Sequence, residues 1–254
     1  MKTGSILTAS GQLEYARWGN ARQDVLPVLL FHEGLGSVGL WKDFPERLAV
    51  ATGREVVAWS RHGHGDSGGG EVVHEVDYMH NEADLLPAVH EALGIAKGHW
   101  LGPSDGGSIA LIASSRYPEL VASLILEAPH IFVEELTVAS IAKVVEGFAA
   151  SDLGERMKKY HRDPVAMFHR WGRIWLEPAF LNWNIEKLLP AIEAPALLIQ
   201  GYDDQYGTME QIDGIAAVLP ETTLLKLNDC RHSPHFERGE AVLDAISLFL
   251  QEKS

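Results

Sequence analysis

A serine set between glycines is the first group in this chain equipped for chemistry. The run Leu101-Gly102-Pro103-Ser104-Asp105-Gly106-Gly107-Ser108 follows an apolar stretch and opens a segment, Ile109 to Ala113, of helical character. Where a strand turns directly into a helix at such a G-x-S-x-G, the serine is forced into a strained conformation, and glycines are needed where the chain passes close on either side. The Ser104 hydroxyl then stands clear of the sheet. The N–H of Asp105, at the positive end of the new helix, can face an oxygen that gains negative charge. The spacing does not fit a dinucleotide fingerprint, which would also leave the serine unexplained.

A serine hydroxyl is a weak nucleophile at neutral pH and needs a base, itself oriented by an acid. Two later strand ends supply candidates: Gly201-Tyr202-Asp203-Asp204, and Asn228-Asp229-Cys230-Arg231-His232. The chain order is therefore serine, aspartate, histidine. Asp203 competes with Asp204 for the acid, and Glu127, at the end of an earlier strand, is a third choice. The other histidines carry less. His62-Gly63-His64-Gly65-Asp66 is half of a metal-binding pattern but continues with Ser67, and His232 with His235 lacks a third ligand, so no metal is expected. Cys230 has no helix end to activate it and is expected to pack in the interior.

The elements that must hold these groups read as an α/β chain. Short apolar, β-branched runs at 25–31, 55–59, 97–101, 121–127, 195–200 and 223–227 alternate with helical patterns over 41–51, 78–93, 106–117, 208–219 and 237–251. Ahead of them, 4–9 and 12–17 flank Ser10-Gly11 and predict a hairpin. From 130 to 190 the alternation stops, and helical stretches follow one another with Phe132, Phe148, Tyr160, Phe168, Trp171, Trp175, Phe180 and Trp183 crowded among them. Phe168, Trp171 and Trp175 fall on one helix face, suited either to gluing the insertion onto the layer below or to lining an apolar pocket. The 254 residues, 46% hydrophobic, suit one large domain or a domain with an insertion. With 21 Lys and Arg against 35 Asp and Glu, the net charge of -14 repels nucleic acid and anionic membrane surfaces. A single cysteine excludes an internal disulfide framework. Without a signal peptide pattern or a long apolar span, a soluble cytoplasmic protein is expected.

Gly102-x-Ser104-x-Gly106-Gly107, Gly201-x-x-Asp204 and His232-x-x-x-x-Glu237 together resemble the α/β-hydrolase family over nearly the whole chain. The resemblance implies a mostly parallel, doubly wound sheet. It divides the chain into a core of residues 1–129 and 191–254 and a helical cap of 130–190, inserted after the sixth strand. It makes Ser104 the nucleophile, His232 the general base and then acid, and Asp204, at the family's spacing, the acid that orients the imidazole. The second oxyanion donor falls in Phe31-His32-Glu33-Gly34-Leu35-Gly36-Ser37, on the N–H of Leu35 or else of Gly34. Relatives commonly read His-Gly there, so Glu33 is a departure, expected either to be salt-bridged or to touch the substrate or the histidine. Pro103 is another, costing the loop one N–H donor. The glycine-rich run Arg61 to Ser67 is expected to brace the site through Asp66 and Ser67. Gly34, His130, Trp171 and Trp175 are the expected substrate contacts, with His130 alternatively a structural histidine.

The implied reaction is cleavage of a small or medium carboxylic ester through an acyl-enzyme, with a small apolar acyl substrate and no metal or organic cofactor. Lactones, thioesters and the carbon-carbon bond of ring-cleavage diketones are open to the same groups. A ligand-binding protein on a hydrolase scaffold is the rival from another class. Dehalogenase and epoxide hydrolase chemistry is disfavoured, because those relatives place an aspartate where Ser104 stands. Neither nucleic acid nor membrane is expected as a partner, and the sequence is compatible with a homo-oligomer.

Overall fold

The computed structural model describes residues 1–8, 11–68 and 75–252. Its strands are β1 (Lys2–Thr8), β2 (Gly11–Trp18), β3 (Val28–Leu30), β4 (Val56–Trp59), β5 (Gly98–Pro103), β6 (Val121–Glu127), β7 (Ala196–Gly201) and β8 (Thr222–Leu227). They form one sheet in the order β1-β2-β4-β3-β5-β6-β7-β8. Strand β2 runs antiparallel to both neighbours, and from β4 onward every adjacent pair is parallel. The helices are α1 (Phe44–Thr52), α2 (Tyr78–Asp84), α3 (Leu86–Leu93), α4 (Asp105–Arg116), α5 (Glu135–Gly147), α6 (Leu153–Met157), α7 (Pro164–Trp175), α8 (Glu210–Ala216), α9 (Pro234–Glu237) and α10 (Gly239–Glu252).

Parallel strands covered on both faces need apolar residues at every position, with successive side chains parting to opposite sides. Leu29, Val57, Trp100, Leu124 and Leu126 accordingly join a core with Met79 of α2, Val89 of α3 and Ile109 of α4. Their neighbours Val28, Leu30, Val56, Leu101 and Ile125 join another with Leu48 of α1 and Ile246 and Phe249 of α10. The doubly wound α/β architecture implied by the sequence is present.

Two predicted elements change shape at prolines. The expected helix over 78–93 divides into α2 and α3, because Pro87 cannot donate to the carbonyl one turn back. The expected strand over 25–31 contracts to Val28–Leu30, directly after Pro27. The predicted hairpin pairs Lys2 with Arg17 through to Thr8 with Gly11; Ser10 of its turn lies outside the described residues.

Between β6 and β7 the chain is helical, with α5, α6, α7 and short 3-10 turns, and its one extended contact is an isolated bridge from Phe132 to Asn184. Helix α7 starts where Asp163 accepts the N–H of Ala166 at 3.0 Å, with Pro164 in the first turn. Phe168 stacks on Phe148 at 3.8 Å, whereas Trp175 meets Phe180 and His130 edge-on at 5.0 and 5.1 Å. Among the described residues no helix is long and apolar enough to cross a membrane.

Candidate active site

Ser104 occupies the one-residue turn between β5 and α4 at φ 50° and ψ -125°, a left-handed conformation costly to any residue but glycine. The glycines around it have no room for a side chain: a Cβ on Gly102 would lie 2.5 Å from the Gly106 backbone, and one on Gly106 would lie 2.0 Å from the Phe31 carbonyl oxygen. Pro103 ends β5 opposite Glu127 of β6, and the Ser104 N–H resumes the ladder by donating to the Glu127 carbonyl at 2.8 Å. The missing donor of Pro103 is thus absorbed locally.

The carboxylate of Asp204, just past β7, lies 2.8 and 2.9 Å from Nδ1 of His232, in the loop after β8. It also accepts the N–H of Tyr206 at 2.8 Å and Nε2 of Gln200 at 3.3 Å. Since the carboxylate accepts, Nδ1 carries the proton of this bond, and Nε2 of His232 is the ring's lone-pair atom whenever the imidazole is neutral. Asp203 is exposed and bonds this loop only through its backbone N–H, to the Cys230 carbonyl. Glu127 meets a different histidine, His235, at 2.7 Å. Of the three acids weighed from sequence, Asp204 is therefore the one on His232. Gly201 lets strand and loop meet, because a Cβ there would lie 1.9 Å from the Cys230 oxygen.

The loop after β3 is held by its carbonyls. Arg61 donates to the oxygens of His32 at 2.6 Å and Glu33 at 3.1 Å, and Nε2 of His64 faces the oxygen of Gly34 at 3.1 Å. Burial, followed by the Arg61 charge, holds His32 well below the usual histidine range, so it stays neutral and accepts the Arg61 N–H at 2.9 Å. The N–H groups of Leu35 and Asp105 meet no acceptor among the described residues. The bracing expected of the glycine-rich run is visible: Ser67 accepts the Glu14 N–H and donates to the Ser60 carbonyl, and Asp66 pairs with Arg162 of the inserted segment at 3.3 Å.

These pieces enclose a cavity of about 170 Å³. Ser104, His232, Leu35, Asp105, Gly34, His130, Trp171 and Trp175, all named from sequence, line it together. Asp204 stands behind His232, and Phe168 does not reach the wall. Glu33 does, and it has no ion pair among the described residues, so of its two expected roles the salt-bridged one is not seen. Sequence reasoning missed Thr137, Ile141 and Tyr206 on the wall; the first two sit one turn apart on α5, a spacing that could have flagged them. It also missed Tyr78, whose phenol donates to Asp105 Oδ2 at 2.6 Å and is pushed well above its usual range by burial and then by that carboxylate. Cys230 is fully buried, and burial, followed by Glu237 and Glu127, pushes its thiol up to about 11.

The arrangement can deliver a hydroxyl to a carbonyl carbon, pass its proton to an imidazole fixed in one tautomer, and offer two N–H groups to the oxygen. A family model described as serine aminopeptidase, S33, matches residues 26–239. The chain is 28% identical to a bifunctional esterase/perhydrolase of Acinetobacter calcoaceticus over 80% of its length and 82% of the relative's. It is 25% identical to a 2-hydroxy-6-oxononadienedioate/2-hydroxy-6-oxononatrienedioate hydrolase of Pseudomonas putida, over 94% of this chain and 92% of that one. Among solved structures, the enol-lactonase of Burkholderia xenovorans superposes with a TM-score of 0.74 at 19% identity, covering 98% of this chain and all of the other, a likeness of fold.

Proposed function

The chain belongs to the serine aminopeptidase S33 family of α/β-hydrolases, and from that membership we propose a serine hydrolase that cleaves a small or medium carboxylic ester through an acyl-enzyme. The observation that carries the reading is a strained serine sharing one cavity with an imidazole whose far nitrogen is bonded to a buried carboxylate. Ser104 attacks the carbonyl as His232 Nε2 takes its proton. The N–H groups of Leu35 and Asp105 hold the oxyanion, Asp204 keeps the imidazole in the working tautomer and balances its transient charge, and His232 returns the proton to the leaving alcohol. Water, deprotonated by His232, then releases the acid. Gly34, His130, Trp171 and Trp175 contact the acyl group, and residues 130–190 act as the lid that keeps bulk water from it.

The similarity to the oxononadienedioate hydrolase supports a second reading, carbon-carbon cleavage by the same groups. Turnover of p-nitrophenyl acyl esters beside a ring-cleavage diketone, with fluorophosphonate labelling of Ser104, tests both. Ester turnover with labelled Ser104 supports the first, and preference for the diketone supports the second. Labelling without turnover of either favours a binding protein on this scaffold, and no labelling removes Ser104 from the mechanism.

A further inference from the structure

Residues 204–208, the loop that carries the acid, belong to no strand or helix, so no ladder supplies partners for their backbone groups. Partners are found peptide by peptide. In the unit joining Gln205 to Tyr206, the carbonyl accepts the Ser140 hydroxyl at 2.7 Å while the N–H donates to Asp204 Oδ1 at 2.8 Å. The next carbonyl, of Tyr206, accepts from Thr137 and from Nε2 of His130, the latter at 3.0 Å. In the unit joining Gly207 to Thr208, the carbonyl accepts Nε2 of Gln200 at 2.9 Å and the N–H donates to Glu134 at 3.0 Å. Gln200 belongs to β7 and is fully buried. The other grips come from the inserted segment. Glu134, just ahead of α5, and Thr137 and Ser140 within it stand at successive three-residue steps, and they meet residues 208, 206 and 205 in that order. The helix is laid along the loop in reverse.

A peptide unit is planar and stiff, so a bond on its carbonyl fixes where its N–H points. The Tyr206 N–H points at the oxygen that lies 2.8 Å from His232 Nδ1. Resting on the serine hydrolase reading, we propose that α5 is a mount for the acid as well as a cover for the cavity: Ser140, seconded by Thr137 and Glu134, holds the peptide that aims Asp204 at His232. A cover alone has no reason to bury the Thr137 hydroxyl, which an apolar residue could replace at less cost. Neither Ser140 nor Glu134 lines the cavity, so their effect on turnover passes through the loop rather than through contact with substrate. Ser140 is thus a positioning residue, one peptide unit away from the carboxylate it serves.

The test reads kcat and KM for p-nitrophenyl butyrate and, in parallel, the rate at which a fluorophosphonate labels Ser104. Ser140→Ala is expected to lower kcat about threefold, and Ser140→Ala combined with Thr137→Val about tenfold, with KM within about twofold of wild type and the labelling rate falling in step. Thr137→Ser, which keeps the hydroxyl, stays within about twofold of wild-type kcat. In an Asp204→Asn background the same pair of changes should cost less than about twofold, because a positioning role disappears with the group it positions. A loss as large in that background as in wild type assigns the helix a general structural role and overturns the proposal. So does a folded double variant at wild-type kcat and labelling rate. A loss confined to KM overturns it too, since it places the side chains on substrate rather than behind the acid. Should the double variant not fold, Ser140→Ala and its cycle with Asp204→Asn decide. If wild type is labelled without turnover, the labelling rates alone decide. These failures leave the esterase reading standing wherever wild type turns the ester over and is labelled; a wild type showing neither overturns the proposal together with that reading.

Discussion

Two histidine-carboxylate pairs have their histidines three residues apart and differ most in what surrounds them. His232 meets Asp204 at 2.8 Å, with 15% of the histidine side chain exposed. His235 meets Glu127 at 2.7 Å, with 4% of its side chain exposed and none of the glutamate's. The second ring is packed by Trp41, Phe44 and Phe236 at 5.3, 5.2 and 4.2 Å, and Glu127 Oε2 also accepts the His235 N–H at 3.1 Å. The hydrogen bonds are alike; the surroundings are not. The first pair opens on a cavity that holds a strained serine, and the second is sealed between helix and sheet. A histidine bonded to a carboxylate is therefore no sign of catalysis until something can reach it. The sealed pair instead ties α9, and with it the loop bearing His232, to the end of β6, whose Glu127 carbonyl also holds the backbone of Ser104.

The largest expected effect lies on the open side. Ser104→Ala or His232→Ala should lower kcat by about 10³-fold or more while the melting temperature hardly moves. A folded variant retaining a tenth of wild-type activity would remove that residue from the proposed mechanism. Asp204→Asn should cost roughly 10²-fold or more through loss of the tautomer lock, and Glu127→Gln only a few-fold per folded molecule. The reverse ranking would exchange the roles of the two pairs. On the sealed side the loss should appear as stability: His235→Ala leaves the buried Glu127 carboxylate only the backbone N–H at position 235, and such a break costs about 3 kcal/mol, read from chemical denaturation.

A subtler distinction is pH dependence. Burial opposes the charge on His235, but the charge and hydrogen bond of Glu127, with a smaller push from Glu33, together outweigh it, so the pKa of the ring is raised above its ordinary value. A raised folded-state pKa gives stability that is complete below the unfolded value, near 6.5, and is lost as pH climbs through the folded one. Wild type should therefore lose stability across that climb more steeply than Glu127→Gln, in melts taken between about pH 6 and 9. Parallel curves would show that the pair contributes no such linkage. The smallest effects belong to Cys230→Ser and Asp203→Asn, each expected within about twofold of wild-type kcat, since neither side chain reaches the cavity; a severe loss in folded Cys230→Ser would revive the thiol as a reactive group.

Local pattern made much of this legible. The glycines around Ser104 announce their turn because sterics at one point demand them, and apolar runs announce buried parallel strands. Spacing alone distinguished Asp204 from Asp203 only by way of the family resemblance; the physical reason, that one side chain faces the loop after β8 and the other faces solvent, appears in three dimensions. The Glu127–His235 pair, the bond from Tyr78 to Asp105 and the grip of Arg61 on the loop after β3 were not legible. Each joins residues far apart in the chain, and nothing in either local segment names its partner. The broken helix at Pro87 was readable in principle, because a proline's missing N–H is a local fact.

The sheet order carries a consequence for how the molecule comes into being. The cavity and the acid behind it draw on five different strands: Leu35 after β3, Ser104 after β5, His130 after β6, Asp204 after β7 and His232 after β8. Parallel neighbours are joined by long crossovers, so these pairings are non-local and slow to form. On the proposed mechanism, Ser104 has neither its base nor an orienting acid until β7 and β8 dock against the rest of the sheet, and a half-folded chain carries an inert alcohol. On that mechanism, competence therefore requires both C-terminal strands in place, and any state in which they are undocked is chemically silent.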